Sequence, residues 1–297
     1  MSFMLLGILN AQASGGGLAP EFIIVGFDPT VSTSPDGITW TEQSSGFGTD
    51  RIFGVAGGDG LYVIGGRNGL LSSSEDRITW TARTSGFGTA WIYSIAYGDG
   101  LFVAAGSSGK VTTSTDAITW TAQSPGFGTT EINAAAFGDG LFLVTAESGK
   151  VRTSPDGTTW TGRTTGFGSA GVKAAGYGNG LYLIGGSGPR LETSPDGITW
   201  TVRTSGITSI VYSLTYGDGL YLAGGGSAQL STSPDGITWT TRTSGFSGNA
   251  LNGLSYGDGV YVAVGPLGQL NTSPDGITWT ARTSGFGSNT INAITFA

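Results

Sequence analysis

Short apolar or alternating runs recur along the chain, separated by clusters of Gly, Asp, Pro and Ser, and the pattern repeats about every forty residues. In one period, Trp91–Tyr97 ("WIYSIAY") leads through "GDG" into Leu101–Gly106 ("LFVAAG"). Lys110–Ser114 ("KVTTS") follows and, after a further turn, so does Ile118–Ser124 ("ITWTAQS"). Runs this short, rich in Val, Ile, Tyr, Trp and Thr and bounded by turn residues, predict antiparallel strands joined as hairpins. No segment within the repeats has a helical period.

Both inner turns have a chemical reason. Asp-Gly between apolar runs is a strong hairpin signal, because positive φ is easy for Gly and tolerable for Asp or Asn. The other turn is the octapeptide "SPDGITWT", which begins word for word at Ser34, Ser194, Ser233 and Ser273, with near-copies from Ser74, Ser114 and Ser154. Its Pro suits a φ near −65° and its Gly a left-handed closing residue. Arg77 and Ala117 replace that Gly, so two of the seven turns are expected to be strained or differently shaped.

The tryptophans Trp40, Trp80, Trp120, Trp160, Trp200, Trp239 and Trp279 are spaced by 40, 40, 40, 40, 39 and 40 residues. A fixed period of this size signals a solenoid, a propeller or an array. Four strands per period, seven times over, predict an all-β, seven-bladed β-propeller with four antiparallel strands per blade. A parallel solenoid is the competitor, and the partial repeats discriminate. Glu21–Gly26 aligns with second strands such as Val260–Gly265, so its blade lacks a first strand; Ile291–Ala297 is a first strand with nothing after it. The fragments sum to one blade, which closes a ring and serves no purpose in a linear stack. The division is therefore a segment over 1–20 and a propeller over 21–297. Small residues in first strands ("INAAAF") suit the crowded axis, and Arg83, Arg163, Arg203, Arg242 and Arg282 suit an outer edge protected from pairing.

Composition narrows the chemistry. With no Cys and no His among 297 residues, disulfides, thiolate nucleophiles, Cys/His zinc sites and His-based acid–base catalysis are excluded. A net charge of −7 argues against nucleic acid and anionic membranes as partners. Gly-Asp repeats also occur in calcium-bound β-rolls. Here Asn179 replaces the acid in one turn and no D-x-D spacing supplies a second ligand, so neither metal nor cofactor is expected.

The octapeptide resembles the BNR or Asp-box repeat, S-x-D-x-G-x-T-W, shortened by one residue between Asp and Gly. The resemblance extends over residues 21–297 and implies a folded hairpin on the face opposite any active site. Sialidases carry such boxes, but their activity resides in an arginine triad, a Tyr–Glu pair and an acid on the other face. The residues alone give the same role. Ser and Asp close a turn through backbone N–H groups while Trp packs on the neighbouring blade. The box is one structural part used seven times.

Comparing repeats separates framework from variation. Variable polar residues gather between second and third strands and between each fourth strand and the next blade, two loop sets that alternation puts on one face, opposite the boxes. The candidate ligand-binding residues there are Arg67, Asn68, Trp91, Lys110, Glu131, Lys150, Arg190, Gln229, Asn249 and Gln269. The "SGFG" phenylalanines beneath (Ile207 once) read as junction seals. No catalytic residue is assigned. Glycoside hydrolysis by two carboxylates, with Glu131 and Glu147 as candidates, is the enzymatic alternative.

Residues 1–20 lie outside the repeat. "FMLLGIL" (Phe3–Leu9) is too short to span a bilayer and lacks the positive flank of a signal peptide. "SFMLLGILN" followed by a Gly-rich stretch resembles the opening of structural proteins of tailed bacteriophages. That resemblance implies a docking peptide, with Phe3, Met4, Leu5, Leu6, Ile8 and Leu9 contacting other virion proteins. The resulting expectation is a non-enzymatic virion protein whose propeller is exposed on the particle and binds a host-surface glycan or protein. A purely structural decoration or connector protein and a glycan-cleaving propeller are the alternatives.

Overall fold

The structure, a computed structural model, describes residues 18–27 and 30–297. The docking residues Phe3, Met4, Leu5, Leu6, Ile8 and Leu9 lie outside the described residues, as does Asp28 of the first loop. Seven four-stranded antiparallel sheets form the blades, as the repeat predicts. Six run in chain order from an inner to an outer strand; blade 4 comprises Ile132–Gly138, Leu141–Ala146, Val151–Ser154 and Thr161–Arg163. Blade 1 takes its inner strand, Ile291–Phe296, from the far end of the chain and pairs it with Phe22–Gly26. Phe22 lies opposite Phe296, and Glu21 and Ala297 exchange both backbone hydrogen bonds, at 2.9 and 3.0 Å.

The core is divided among the blade junctions. Val103, Val111 and Phe127 of blade 3 pack on Ile132, Phe142 and Val144 of blade 4, with Trp160 partly buried against them. The closing junction repeats this arrangement: Val262, Leu270 and Phe286 of blade 7 meet Phe22, Ile24 and Ile291 of blade 1, and Trp40 packs on them. Phe87 and its counterparts are buried, so the "SGFG" ring is core. Outer-strand arginines do more than guard an edge, since Arg83, Arg163, Arg203, Arg242 and Arg282 each donate Nε to a third-strand hydroxyl.

Tight inner packing explains the glycine that ends six of the seven inner strands. A Cβ on Gly138 would stand 2.0 Å from the Tyr177 ring of the next blade, and one on Gly257 2.1 Å from Phe296 of the closing strand. Junctions therefore advance by laying an aromatic ring over a bare backbone, and the last junction does so with the C-terminal strand. In the hairpins that follow, Asp99 and Gly100 both have positive φ (48° and 75°), as do Asn179 and Gly180, which is the type I′ geometry that Asp-Gly and Asn-Gly favour.

The box is a staple. The Asp36 Oδ1 accepts from Ser34 Oγ and from the backbone N–H groups of Ile38 and Thr39, the latter two at 2.8 Å, and Trp40 Nε1 donates to the Gly37 carbonyl. Six of the seven box indoles donate in this way; Trp200 Nε1 is buried without a partner among the described residues. Arg77 and Ala117 keep the left-handed shape (φ 63° and 57°), so these turns have the shape of the others and bear the non-glycine strain.

Arg77 uses its position. Box turns face the preceding blade, and for blade 2 that is the closing blade. The Arg77 guanidinium donates to the Ala19 carbonyl at 2.8 Å and the Ala297 carbonyl at 3.4 Å, and stands 3.8 Å from the Glu21 carboxylate. It also covers the Tyr62 ring at 5.0 Å. Elsewhere that second-strand aromatic pairs with one on the inner strand, such as Tyr97 with Phe102; blade 2 has Gly57 there, and a Cβ on it would press on Ala297 at 2.7 Å. A missing ring and a turn arginine are two halves of one adaptation to the closure.

Candidate functional site

Boxes and Asp-Gly turns share one pole, and the two variable loop sets share the other. Several predicted loop residues are tied into their own scaffold. Lys110 Nζ donates to the Phe87 carbonyl at 2.7 Å, and Lys150 Nζ to Thr130 Oγ1 at 2.8 Å. Gln229 Oε1 accepts from the N–H groups of Thr208 and Ser209, while Asn249 Nδ2 donates to Gln269 Oε1 and Gln269 Nε2 to Ser247 Oγ. Each of these bonds ties a second-to-third-strand loop to a strand-four exit. Asn68 Nδ2 donates to Asp50 at 3.2 Å. Arg190 is exposed on the rim of blade 5, where its charge and the Gly166 N–H partly oppose the upward push that burial gives the Glu192 carboxyl.

The remaining three, Arg67, Trp91 and Glu131, lie beside inner-strand residues that loop variation did not single out. A β-bulge interrupts the register at the second residue of six inner strands, as where Ile52 faces Gly66 and Gly54 faces Gly65. The skipped residue lines the axial mouth. In this ring stand three aromatics (Phe53, Tyr93, Tyr212), three amides (Asn133, Asn252, Asn292) and Lys173, around a cavity of about 240 Å³ floored by Ala134, Ala174 and their equivalents.

Aromatic rings continue outward from the mouth. Phe53 stacks on Trp91 (centroids 5.6 Å apart, planes at 20°), and Tyr93 stands across both at 58° and 75°. The Arg67 guanidinium lies 5.5 Å over Trp91, and that of Arg51 3.8 Å over Phe27. The Tyr93 phenol is pushed above the usual tyrosine range, first by burial and then by the charge of Glu131, with which it hydrogen-bonds, and by that of Glu147. Glu147 forms an ion pair with Lys173 and accepts from Asn133 Nδ2. Its backbone N–H donates to the Glu131 carbonyl at 2.9 Å, so the two glutamates stand side by side on one wall.

Sequence reasoning missed the mouth because its residues occupy strand positions, and a bulge is what turns them to the axis. One signal was present: the second inner-strand residue varies from blade to blade more than its neighbours do.

A family profile described as a DUF6242 beta propeller domain matches residues 34–169, a little under half of the chain. No curated protein matches in sequence. Among solved structures, YCF48 from Cyanidioschyzon merolae is similar at 15% identity and a TM-score of 0.63, covering 82% of this chain and 93% of that one. YCF48 bound to D1 peptide is similar at 18% identity and a TM-score of 0.61, covering 78% and 82%. The computationally designed Ika8 protein is similar at 14% identity and a TM-score of 0.61, covering 86% and 81%. What this chain shares with all of them is the β-propeller fold.

Proposed function

We propose that the chain is a non-enzymatic display propeller of a tailed-bacteriophage particle, docked through residues 1–20 and presenting its loop pole to a host surface. The observation that carries this reading is polarity. The chain enters the propeller at the box pole, where Arg77 holds the Ala19 carbonyl, and the non-repeated aromatic and charged side chains converge on the opposite pole around the axial mouth. A propeller held from one end presents the other. The boxes, in this reading shortened Asp-boxes, build the docking end.

A binding role suits the mouth better than catalysis. Cleavage by two carboxylates needs them on either side of a glycosidic bond, whereas Glu131 and Glu147 are neighbours on one wall and Glu147 is paired with Lys173. The loop bonds of Lys110, Lys150, Gln229, Asn249 and Gln269 favour a second reading, a rigid decoration or connector without a ligand.

Removal of residues 1–17 tests the docking half. The truncated chain is expected to keep the circular dichroism and melting temperature of the full chain and to be absent from assembled particles. Retention on the particle would refute the docking role. Sedimentation of the full chain with bacterial cell envelopes tests the display half, and no association with any envelope leaves the decoration reading.

A further inference from the structure

The axial mouth has a chemistry more specific than a general binding face. Asn133 Nδ2 donates to the Val172 carbonyl, Asn252 Nδ2 to that of Ile291 and Asn292 Nδ2 to that of Ile52, at 2.9, 2.9 and 2.7 Å. In each case the acceptor is the start of the next blade's inner strand. The amide nitrogens are thereby fixed, and the three Oδ1 atoms have no partner among the described residues. An amide oxygen accepts up to two hydrogen bonds. The ring thus presents a set of rigid acceptors, with the phenol of Tyr212, 37% exposed, beside them.

Beside these acceptors stands the apolar wall of Phe53, Trp91 and Tyr93, two rings nearly parallel and one steeply across them. Charge nearby is balanced: the cations Arg51, Arg67 and Lys173 stand with the carboxylates Asp50, Glu131 and Glu147, and Lys173 is already paired with Glu147. A cavity of about 240 Å³ is smaller than the roughly 300–1,000 Å³ of sites for drug-sized ligands. It requires a small ligand that is uncharged, apolar on one face and rich in hydroxyl donors at its edge.

We propose that the axial mouth binds one unit of a neutral saccharide, its C–H face against the Phe53–Trp91–Tyr93 wall and its hydroxyls donating to the amide oxygens of Asn133, Asn252 and Asn292. The assignment rests on the display reading above and names its ligand class. An anionic sugar would meet Glu131 on this wall, and a folded protein loop would not fit the cavity.

The test uses the full chain on an array of neutral and acidic oligosaccharides, with bacterial cell envelopes as a second probe. Binding to at least one neutral oligosaccharide is expected, with the same sugar competing for envelope association. Trp91→Ala is expected to weaken it at least about tenfold, and so is Tyr212→Ala, which alters an exposed ring and leaves the fold intact. Trp91 is the single tryptophan outside the boxes, so a fluorescence change on sugar binding that disappears in Trp91→Phe places the ligand. Binding to acidic glycans alone, or neutral-sugar binding that both alanine variants retain, overturns the assignment. Envelope association that proteolysis of the envelope abolishes and neutral sugars leave untouched overturns it in favour of a protein receptor, with the display reading intact. No envelope association at all overturns both.

Discussion

At the residue scale, the box aspartates act through hydrogen bonds to backbone N–H groups. The N–H of the Thr three residues on is the largest influence in every box, and the carboxyls of Asp76, Asp116, Asp196 and Asp235 are held down at about 2, against an ordinary 3.8. Those of Asp36, Asp156 and Asp275 are lowered too. A carboxyl whose folded value lies below its unfolded value stabilises the fold fully above the unfolded value and ceases to do so as pH falls through the folded one. The urea midpoint should therefore be flat above about pH 4 and fall between about pH 4 and 2. It should fall less steeply in Asp116→Asn, and a midpoint independent of pH in that window would contradict the staple role. These side chains are exposed, yet hydrogen bonding dominates, so the acid limb should persist at high salt.

Glycine choices at this scale are equally specific. Gly138→Ala places a methyl group on the Tyr177 ring and should destabilise by about 1–3 kcal/mol, as overpacking does. Chemical denaturation would read this as a lower midpoint at unchanged slope. The need for glycine after the inner-strand aromatic of five blades was visible in the sequence only as repetition. Its cause, a ring from the next blade, is a contact between segments about forty residues apart.

At the scale of the element, the blade was legible in strand number and order, but its outer strand is shorter than expected: Thr121–Gln123 in place of Ile118–Ser124, because Ile118–Trp120 belong to the box turn. Alternation, Asp-Gly turns and the box predict four strands in order, and the sheets have that order. The site was legible only in part. Loop variation pointed to the pole that carries the axial mouth and to Arg67, Trp91 and Glu131 beside it, but it gave equal weight to Lys110, Gln229 and Gln269, whose polar groups bond within their own loops. Polarity in a loop does not distinguish a group offered to solvent from one satisfying a neighbouring backbone carbonyl. The bulge was hidden for a different reason. It shifts one residue out of register without changing the composition of the strand, so Phe53, Tyr93 and Asn133 look like ordinary inner-strand positions and instead line the cavity.

For the whole molecule, the question is what holds the closing blade, the one assembled from the two ends of the described chain. Arg77 and Ala117 carry the same left-handed strain and differ in what the side chain reaches. Ala117→Gly should therefore stabilise by about 1 kcal/mol by relieving the turn. Arg77→Gly relieves the same turn but removes part-buried charge-assisted hydrogen bonds, each worth about 1.5–3 kcal/mol. The melting temperature should rise in the first variant and fall by several degrees in the second. A rise in both would mean that Arg77 contributes nothing to closure.

Beside Arg77, Ala297 and Glu21 are paired where every other blade has a hairpin, in the places that Gly98 and Leu101 occupy around Asp99-Gly100. An Asp-Gly dipeptide between Ala297 and Glu21 would supply the missing type I′ turn and leave an uninterrupted loop of polypeptide. The opening could then be moved to the inner hairpin of another blade, without the contacts that Arg77 makes at the present one. The seven blades form a cycle, and Arg77 marks the seam.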